Sequence, residues 1–203
     1  MLSSPIQLQC YLILMKRICV YCGSSTGKSQ DYVEAAKRLA ASLVRQNLGL
    51  VYGGTSIGIM GIIADQVLAL GGEAHGVIPK SLQEMEIAHN SLTELHVVES
   101  MHERKSMMAS LADGFIAMPG GVGTLEEIIE TLTWAQLRFH NKPCGLLNTN
   151  GYFDHLLAFL DHALMEGFLR QGHRDMLQVD DDPDALLRKF RSYKVPVVQK
   201  WVD

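Results

Sequence analysis

Short apolar runs alternate along this chain with longer stretches whose apolar residues recur at the spacing of a helix. Each run ends at a break rich in Gly, Pro or Asn, as is typical of strands covered on both faces. Buried strands are predicted over residues 18–22, 49–52, 74–78, 95–98, 114–118 and 144–147. Helices are predicted over residues 30–47, 58–70, 101–112, 125–138, 152–166 and 183–191. This alternation predicts an α/β fold, a doubly wound parallel sheet of Rossmann-like type, with ligands at the carboxyl ends of the strands.

The length of the chain favours one domain built around this sheet. With 203 residues and 22.5 kDa, the chain is close to the usual size of a single domain. Apolar residues make up 47% and charged residues 20%, which is typical of globular proteins. We assign residues 15–203 to one domain and expect residues 1–14 to be a poorly specified N-terminal extension. The strand pattern opens directly after Met15, which is a candidate for the true start.

Composition narrows the classes of function. A net charge of −4 and a pI near 6.0 argue against a nucleic-acid partner. No apolar run reaches the roughly 18–20 residues of a transmembrane helix, so we expect no membrane partner. Four cysteines without an export signal indicate a cytoplasmic protein with reduced thiols. Cys19 and Cys22 are spaced C-x-x-C, but on a strand this offset sends them to opposite faces, so we expect no redox or metal pair. The histidines lack H-E-x-x-H spacing, and no metal site is predicted.

Three predicted strands end in glycine-rich turns. Residues 22–29 fall one residue short of the Walker phosphate loop, and residues 53–58 have its spacing but continue with Ile59 instead of Lys. Residues 119–127 contain G-x-G but place Glu126 where a dinucleotide site needs Gly. Neither an ATPase nor a nicotinamide-dependent enzyme is therefore indicated. Each turn leads into a helix whose unpaired amides and dipole suit a phosphate or similar anion, and a plain strand–helix turn is the alternative.

The helix predicted over residues 101–112 carries two cations beside an apolar stripe. Arg104 and Lys105 are expected on the two edges of this stripe. Their heads either extend into water along buried stems, or they clamp a phosphorylated ligand. The stripe itself consists of Met101, Met108, Leu111 and Ala112.

Glu127 also allows two interpretations. Thr124-x-x-Glu127 matches a capping box, which needs no function. A carboxylate beside a phosphate loop could instead face the anomeric carbon of a ribose, which becomes positive when an N-glycosidic bond breaks. Glu126 should point about 100° away, toward solvent.

The sequence of the third turn, together with the Arg104-Lys105 pair before it, resembles the sequence motif of the LOG (Lonely guy) family. These proteins are cytokinin riboside 5′-monophosphate phosphoribohydrolases with the pattern P-G-G-x-G-T-x-x-E. The likeness extends from Met15 to the last predicted helix. It includes the segments 51–54, 58–61, 78–82, 133–137 and 142–148.

This resemblance implies an N-glycosyl hydrolase that converts adenine-type nucleoside 5′-monophosphates to free base and ribose 5-phosphate without a cofactor. It makes Arg104 and Glu127 the catalytic pair, with their individual tasks open. Homodimers or larger homo-oligomers are implied, with the site near the subunit interface. The implied phosphate loop comprises Gly121, Val122, Gly123 and Thr124, continuing into Leu125 and Glu126. Further nucleotide contacts are implied at Glu86, Lys105 and Thr133.

Two departures and two rival functions accompany the resemblance. Thr55 stands where the family's second turn usually has a glycine, which could narrow the approach of a ligand, and the first 14 residues have no family counterpart. A non-catalytic nucleotide-binding module has the same loops. Amino-acid decarboxylation would need a lysine for pyridoxal phosphate, and no lysine is identified for it. The preference between adenine and an N6-modified adenine stays open.

Overall fold

Seven parallel strands form one sheet in a computed structural model that describes residues 15–85 and 88–196. The order across the sheet is β4-β3-β2-β1-β5-β6-β7. The strands are β1 (Arg17–Tyr21), β2 (Gly49–Tyr52), β3 (Ala74–Pro79), β4 (Glu94–Val98), β5 (Gly114–Ala117), β6 (Cys144–Leu147) and β7 (Leu177–Asp180). The prediction of a parallel doubly wound sheet is confirmed.

Helices connect the strands and cover both faces of the sheet. They are α1 (Gln30–Arg45), α2 (Gly58–Ala69), α3 (Lys80–Gln83), α4 (Met101–Leu111), α5 (Val122–Gln136), α6 (Asp154–Met165), α7 (Gln171–Arg174) and α8 (Pro183–Arg191). None of the helices in the described ranges is both long enough and apolar enough to cross a membrane.

Two separate cores result from the alternation of side chains along the strands. Ile18 and Cys22 belong to the core under α1, α2 and α8, whereas Cys19 and Phe115 belong to the core under α4 and α5. The two thiols of the C-x-x-C segment therefore lie on opposite faces, as predicted. Burial raises the pKa of both thiols, so they are neutral packing groups.

The chain reverses its winding between β1 and β5, and this creates the switch point at which α/β sheets bind ligands. Loops from β1, β2 and β5 meet there. Gly23 donates its backbone N–H to Pro119 O at 3.2 Å, and Ile59 donates its N–H to Gly23 O at 3.1 Å. Backbone hydrogen bonds therefore fix three loops against one another before any side chain contributes.

The predicted strands and helices are confirmed to within two residues at each end, apart from the start of α5, and the short elements α3, α7 and β7 are additional. Strand β7 was not predicted, because its sequence LQVD is short, half-buried and partly polar at the edge of the sheet. Helix α5 begins at Val122, whereas the prediction began it at residue 125. The glycines of the segment are typical of a turn, so the sequence contains no sign of the first helical turn. The proposed N-terminal extension, residues 1–14, lies outside the described residues.

We predict that Gly58→Ala destabilises the fold more than Gly71→Ala. Both glycines have positive φ, +60° and +78°, so both variants carry left-handed strain of about 1–2 kcal/mol. At Gly58 the new Cβ would also overlap the Ser24 backbone, which adds about 1–3 kcal/mol, whereas it meets nothing within 4 Å at Gly71. Urea unfolding measures both losses, and equal losses would contradict close packing of the 24–25 loop on α2.

Candidate active site

A cavity of about 320 Å³ opens at the switch point, above the carboxyl ends of β1 and β5. Its wall combines the loop after β1, the first turns of α5 and one side chain each from α2 and α4. The lining residues are Cys22, Gly23, Ser24, Met60, Arg104, Gly121, Val122, Gly123, Thr124 and Glu127.

The start of α5 supplies unpaired amides to this cavity. Gly121 is the N-cap and contributes no side-chain hydrogen bond, and the first intrahelical bond runs from Leu125 N to Gly121 O at 3.2 Å. The N–H groups of Val122, Gly123 and Thr124 therefore have no acceptor within the helix. Together with the positive end of the helix dipole they form a site for a phosphate.

The glycines of this turn divide into two groups. A Cβ at Gly120 would overlap Thr124 Oγ1, so Gly120 is required by the packing of the turn itself. A Cβ at Gly121 or Gly123 would meet nothing within 4 Å. Their missing side chains leave open space over the amides, as a ligand in close contact with the backbone needs.

Glu127 does not cap the helix. Because α5 begins at Val122, Thr124 lies inside the first turn and cannot be the N-cap, so the capping-box interpretation is wrong. Among the described residues none donates a hydrogen bond to the Glu127 carboxylate, although this side chain lines the cavity. Burial raises its pKa from an ordinary 4.5 to about 7, the nearby Arg104 lowers it, and Glu126 raises it further.

Arg104 is 8% exposed and is held by backbone oxygens. Its Nε donates to Val77 O at 3.1 Å and its Nη2 donates to Gly53 O at 3.3 Å, while Nη1 lies 3.7 Å from Met101 Sδ. Of the five N–H bonds of a guanidinium, roughly two remain for a ligand in the cavity. Of the two alternatives for Arg104, extension of its head into water is wrong, because two carbonyl groups hold it inside.

The turn after β2 makes room for this guanidinium. A Cβ at Gly53 would overlap Arg104 Nη2 and crowd Met60 Sδ at 3.2 Å. The absence of a side chain at Gly53 therefore leaves room for Arg104, a role that the sequence of the turn did not predict.

The two cations of α4 have different partners. Lys105 donates its Nζ to Glu126 Oε1 at 2.5 Å and lies 2.9 Å from Glu130 Oε2. Burial acts to lower the pKa of Lys105, but the two carboxylates outweigh burial and raise it. Lys105 is thus a buried link between α4 and α5 and does not line the cavity. Glu126 is half-exposed, as expected, yet its charge is paired.

The predicted apolar stripe of α4 is only partly buried. Met101 is 47% exposed, whereas the buried residues of this helix are Arg104, Lys105 and Met108. Arg104 and Lys105 can lie on the buried face of α4 because hydrogen-bond acceptors are present there.

The remaining predicted site residues lie elsewhere. Leu125 is half-buried and packs against the core under α4 and α5. Thr133 is exposed, more than two turns along α5 from Thr124, and donates its hydroxyl to Ile129 O at 2.7 Å. Glu86 lies outside the described residues.

Two residues near the cavity, Thr55 and Tyr152, make contacts that the sequence did not predict. Thr55 is buried, forms a bridge with Ala88 and donates its hydroxyl to Met60 Sδ at 3.5 Å, so its side chain does not narrow the cavity. Tyr152 donates its hydroxyl to Gly120 O at 2.6 Å. Tyr152 also lines a neighbouring cavity of about 290 Å³, which shares Gly23, Ser24 and Gly121 with the first. No local motif marks these residues.

The fold and the site define a Rossmann-like α/β protein in which a helix N-terminus, a buried arginine and the carboxylate of Glu127 meet in one cavity. A family described as "Possible lysine decarboxylase" matches residues 60–190. Cytokinin riboside 5′-monophosphate phosphoribohydrolase LOG5 of Arabidopsis thaliana is 47% identical over 179 residues, which are 88% of this chain and 78% of that protein. The enzyme LOG1 of the same plant is 48% identical over 178 residues, 88% of this chain and 84% of that protein. The chain belongs to this LOG family.

Solved structures confirm the fold. The molybdenum cofactor binding protein of Rippkaea orientalis aligns with a TM-score of 0.67 at 18% identity, covering 89% of this chain and 98% of that protein. The molybdenum cofactor carrier protein of Chlamydomonas reinhardtii aligns with a TM-score of 0.63 at 18% identity, covering 88% of this chain and 99% of that protein. At this identity the likeness concerns the fold alone.

We predict that Glu127→Gln stabilises the protein at pH 8 but not at pH 4.5. Between its ordinary pKa of 4.5 and its folded pKa of about 7, the folded state retains a proton that the unfolded state releases. Stability therefore falls as the pH rises through this window and is constant above it. Removing the carboxylate should gain about 2–3 kcal/mol at pH 8, measured by urea unfolding. The exposed Glu166→Gln serves as the control, and a pH-independent effect of Glu127→Gln would show that the carboxylate is not desolvated.

Proposed function

We propose that this protein hydrolyses the N-glycosidic bond of adenine-type nucleoside 5′-monophosphates. The substrate class comprises AMP and cytokinin riboside 5′-monophosphates, and the products are the free base and ribose 5-phosphate. The observation that carries this proposal is the half-buried carboxylate of Glu127, which accepts no hydrogen bond from the described residues and lies beside the open amides of α5.

The spacing along α5 suits a nucleotide. Thr124 and Glu127 are three residues apart, so they share one face of the helix and are separated by about 5 Å along its axis. A 5′-phosphate on the first-turn amides would therefore place the ribose near the carboxylate. Arg104 lines the same cavity and can bind either the phosphate or the departing base.

The reaction needs a negative group near C1′. As the bond between C1′ and the base nitrogen breaks, the nitrogen keeps the electron pair and C1′ becomes positive. A water oxygen then bonds to C1′, the water loses a proton, and the departing nitrogen gains one. The Glu127 carboxylate stabilises the positive sugar or accepts the proton of the water. Both tasks require its ionised form, and a pKa of about 7 keeps that form accessible at neutral pH.

The alternative is a nucleotide-binding module without chemistry. Phosphate binding alone does not explain a carboxylate placed next to an anion site, because that carboxylate opposes binding of the anion. Decarboxylation with pyridoxal phosphate does not fit the residues present. None of the described residues that line the cavity is a lysine, and Lys105 is held by two carboxylates.

We further infer that the protein acts as a homodimer or larger homo-oligomer. Helix α6 has no buried residue although most of its residues are apolar, and Phe159 on α6 and the nearby Phe168 are 63% and 91% exposed. Apolar surface of this kind is typical of protein–protein contacts.

We also infer a cytoplasmic location, which suits the free thiols of Cys19, Cys22 and Cys144.

A panel of substrates tests the proposal. AMP, isopentenyladenosine 5′-monophosphate, adenosine and a pyrimidine nucleoside monophosphate are incubated with the protein, and base release is followed by chromatography. Release of base from the two adenine monophosphates and not from adenosine is expected. Binding of AMP without base release from any compound would favour the binding module.

We predict that Glu127→Gln lowers kcat by about 10²–10⁴, the usual contribution of a positioned acid or base, with little loss of AMP affinity. In the wild type, kcat/KM should rise with pH to a plateau above about 7 as Glu127 ionises. The variant's residual activity should lack this limb, whereas any limb from the substrate phosphate, near pH 6, should stay. Glu166→Gln is the matched control, and unchanged turnover in folded Glu127→Gln would remove this residue from the reaction.

We predict that Arg104→Ala weakens AMP binding by about 10- to 150-fold, because a charged hydrogen bond is worth about 1.5–3 kcal/mol. Gly53→Ala should weaken binding in the same direction by displacing the guanidinium. In the Arg104→Ala background the Gly53 substitution should add little. Calorimetric titration with AMP measures all four proteins, and equal affinity of wild type and Arg104→Ala would contradict a role for this arginine.

A further inference from the structure

A second cluster of chemistry-bearing side chains lies at one edge of the sheet, near the amino ends of β3 and β4. His75 on β3 is paired in register with Glu94 on β4, and His96 follows two residues later on β4. Residues two apart on a strand share a face, so the three side chains project to the same side of the sheet. One donor atom from each of the three lies within 4.8 Å of the others.

Two ring nitrogens of this cluster are buried and make no hydrogen bond. The His75 side chain is 6% exposed, and its Nδ1 is buried and makes no hydrogen bond, although it lies 3.5 Å from Glu94 Oε2. His96 Nε2 is also buried without a hydrogen bond and lies 3.5 Å from the same oxygen. A buried polar atom without a partner costs about 1–3 kcal/mol, so two of them around one carboxylate oxygen require an explanation.

The other nitrogen of His75 determines what Nδ1 can be. His75 Nε2 lies 3.5 Å from Glu73 Oε2, within hydrogen-bond range of that carboxylate. When Nε2 carries the proton and donates to Glu73, Nδ1 presents a lone pair toward the lone pairs of Glu94. Lone pairs that face one another at this distance call for a cation between them. A carboxylate that accepts the far N–H of a histidine is also the usual support of a metal-ligating imidazole.

We propose that His75 Nδ1, Glu94 Oε2 and His96 Nε2 bind one Zn²⁺ ion, with water as the fourth ligand. Ligands about 2.1 Å from a tetrahedral zinc lie roughly 3.4 Å apart, and the two histidine–carboxylate separations are 3.5 Å. The carboxylates of Glu94 and Glu73 together match the charge of the ion. Two imidazoles and one carboxylate are ligands that zinc prefers. The sequence offered no motif because the ligands come from two strands.

The site is separate from the reaction. It lies at the amino ends of the strands, whereas the cavity with Arg104 and Glu127 lies at their carboxyl ends. Zinc would link edge strand β4 to β3 and is expected to stabilise the fold. The proposal therefore stands independently of the proposed hydrolase activity.

Zinc binding is tested on full-length protein without a histidine tag, after treatment with a chelator. Calorimetry should show one Zn²⁺ per chain, and Co²⁺ in its place should give the intense visible absorption of a tetrahedral site. Glu94→Gln and His96→Gln should each weaken zinc binding by at least about 100-fold. Glu73→Gln should weaken it by about 10-fold through His75. The exposed Glu99→Gln and His102→Gln are matched controls and should bind like the wild type.

His75→Gln is a weaker test because its buried side chain can affect folding, so the decision depends on Glu94 and His96. Base release from AMP by Glu94→Gln and His96→Gln should equal that of the wild type, with or without zinc. Absence of stoichiometric zinc binding would overturn the proposal. Binding that survives in both Glu94→Gln and His96→Gln would assign the ion to other groups, such as thiols, and would also overturn it.

Discussion

The burial of one guanidinium holds the candidate site together. Arg104 is 8% exposed, and a charge in that position is tolerated only where fixed dipoles replace water. Val77 O, within the carboxyl half of β3, and Gly53 O, directly after β2, supply those dipoles. The arginine therefore joins α4 to β3 and to the turn after β2, and the missing side chain at Gly53 is the condition for the second contact. Its remaining N–H groups are oriented before a ligand arrives, which reduces the entropic cost of binding.

The first turn of α5 imposes a second constraint. It provides an anion site because Val122, Gly123 and Thr124 have free amides, and the absence of a capping side chain leaves these amides open. The same early start of the helix moves Glu127 into the second turn, where it cannot reach back to cap. The residue at which α5 begins therefore determines both features: the first-turn amides are free to bind a phosphate, and the Glu127 carboxylate is not used as a cap.

Much of the fold could be predicted because parallel strands buried on both faces leave short, continuous apolar runs. Strand β7 departs from that pattern, since it is half-buried and polar in part, and it was missed. In the candidate site, Arg104 and Glu127 were predicted from the local sequence and from the resemblance to the LOG family, and both line one cavity in the structure. The pairing of Lys105 with Glu126 joins two helices and is not encoded in local spacing. The role of Gly53 was equally hidden, because the residue that needs its space is distant in sequence.

The electrostatics of the cavity couple the two proposed catalytic residues. Burial alone would keep Glu127 protonated and unable to stabilise a positive sugar, and a phosphate on the α5 amides would raise its pKa further. Arg104 lowers this pKa more than any other group does, and it lines the same cavity. The arginine therefore contributes in two ways, as a contact for the ligand and as the charge that keeps the carboxylate ionised near neutral pH. Loss of Arg104 would remove both contributions, so the tasks of Arg104 and Glu127 are not independent.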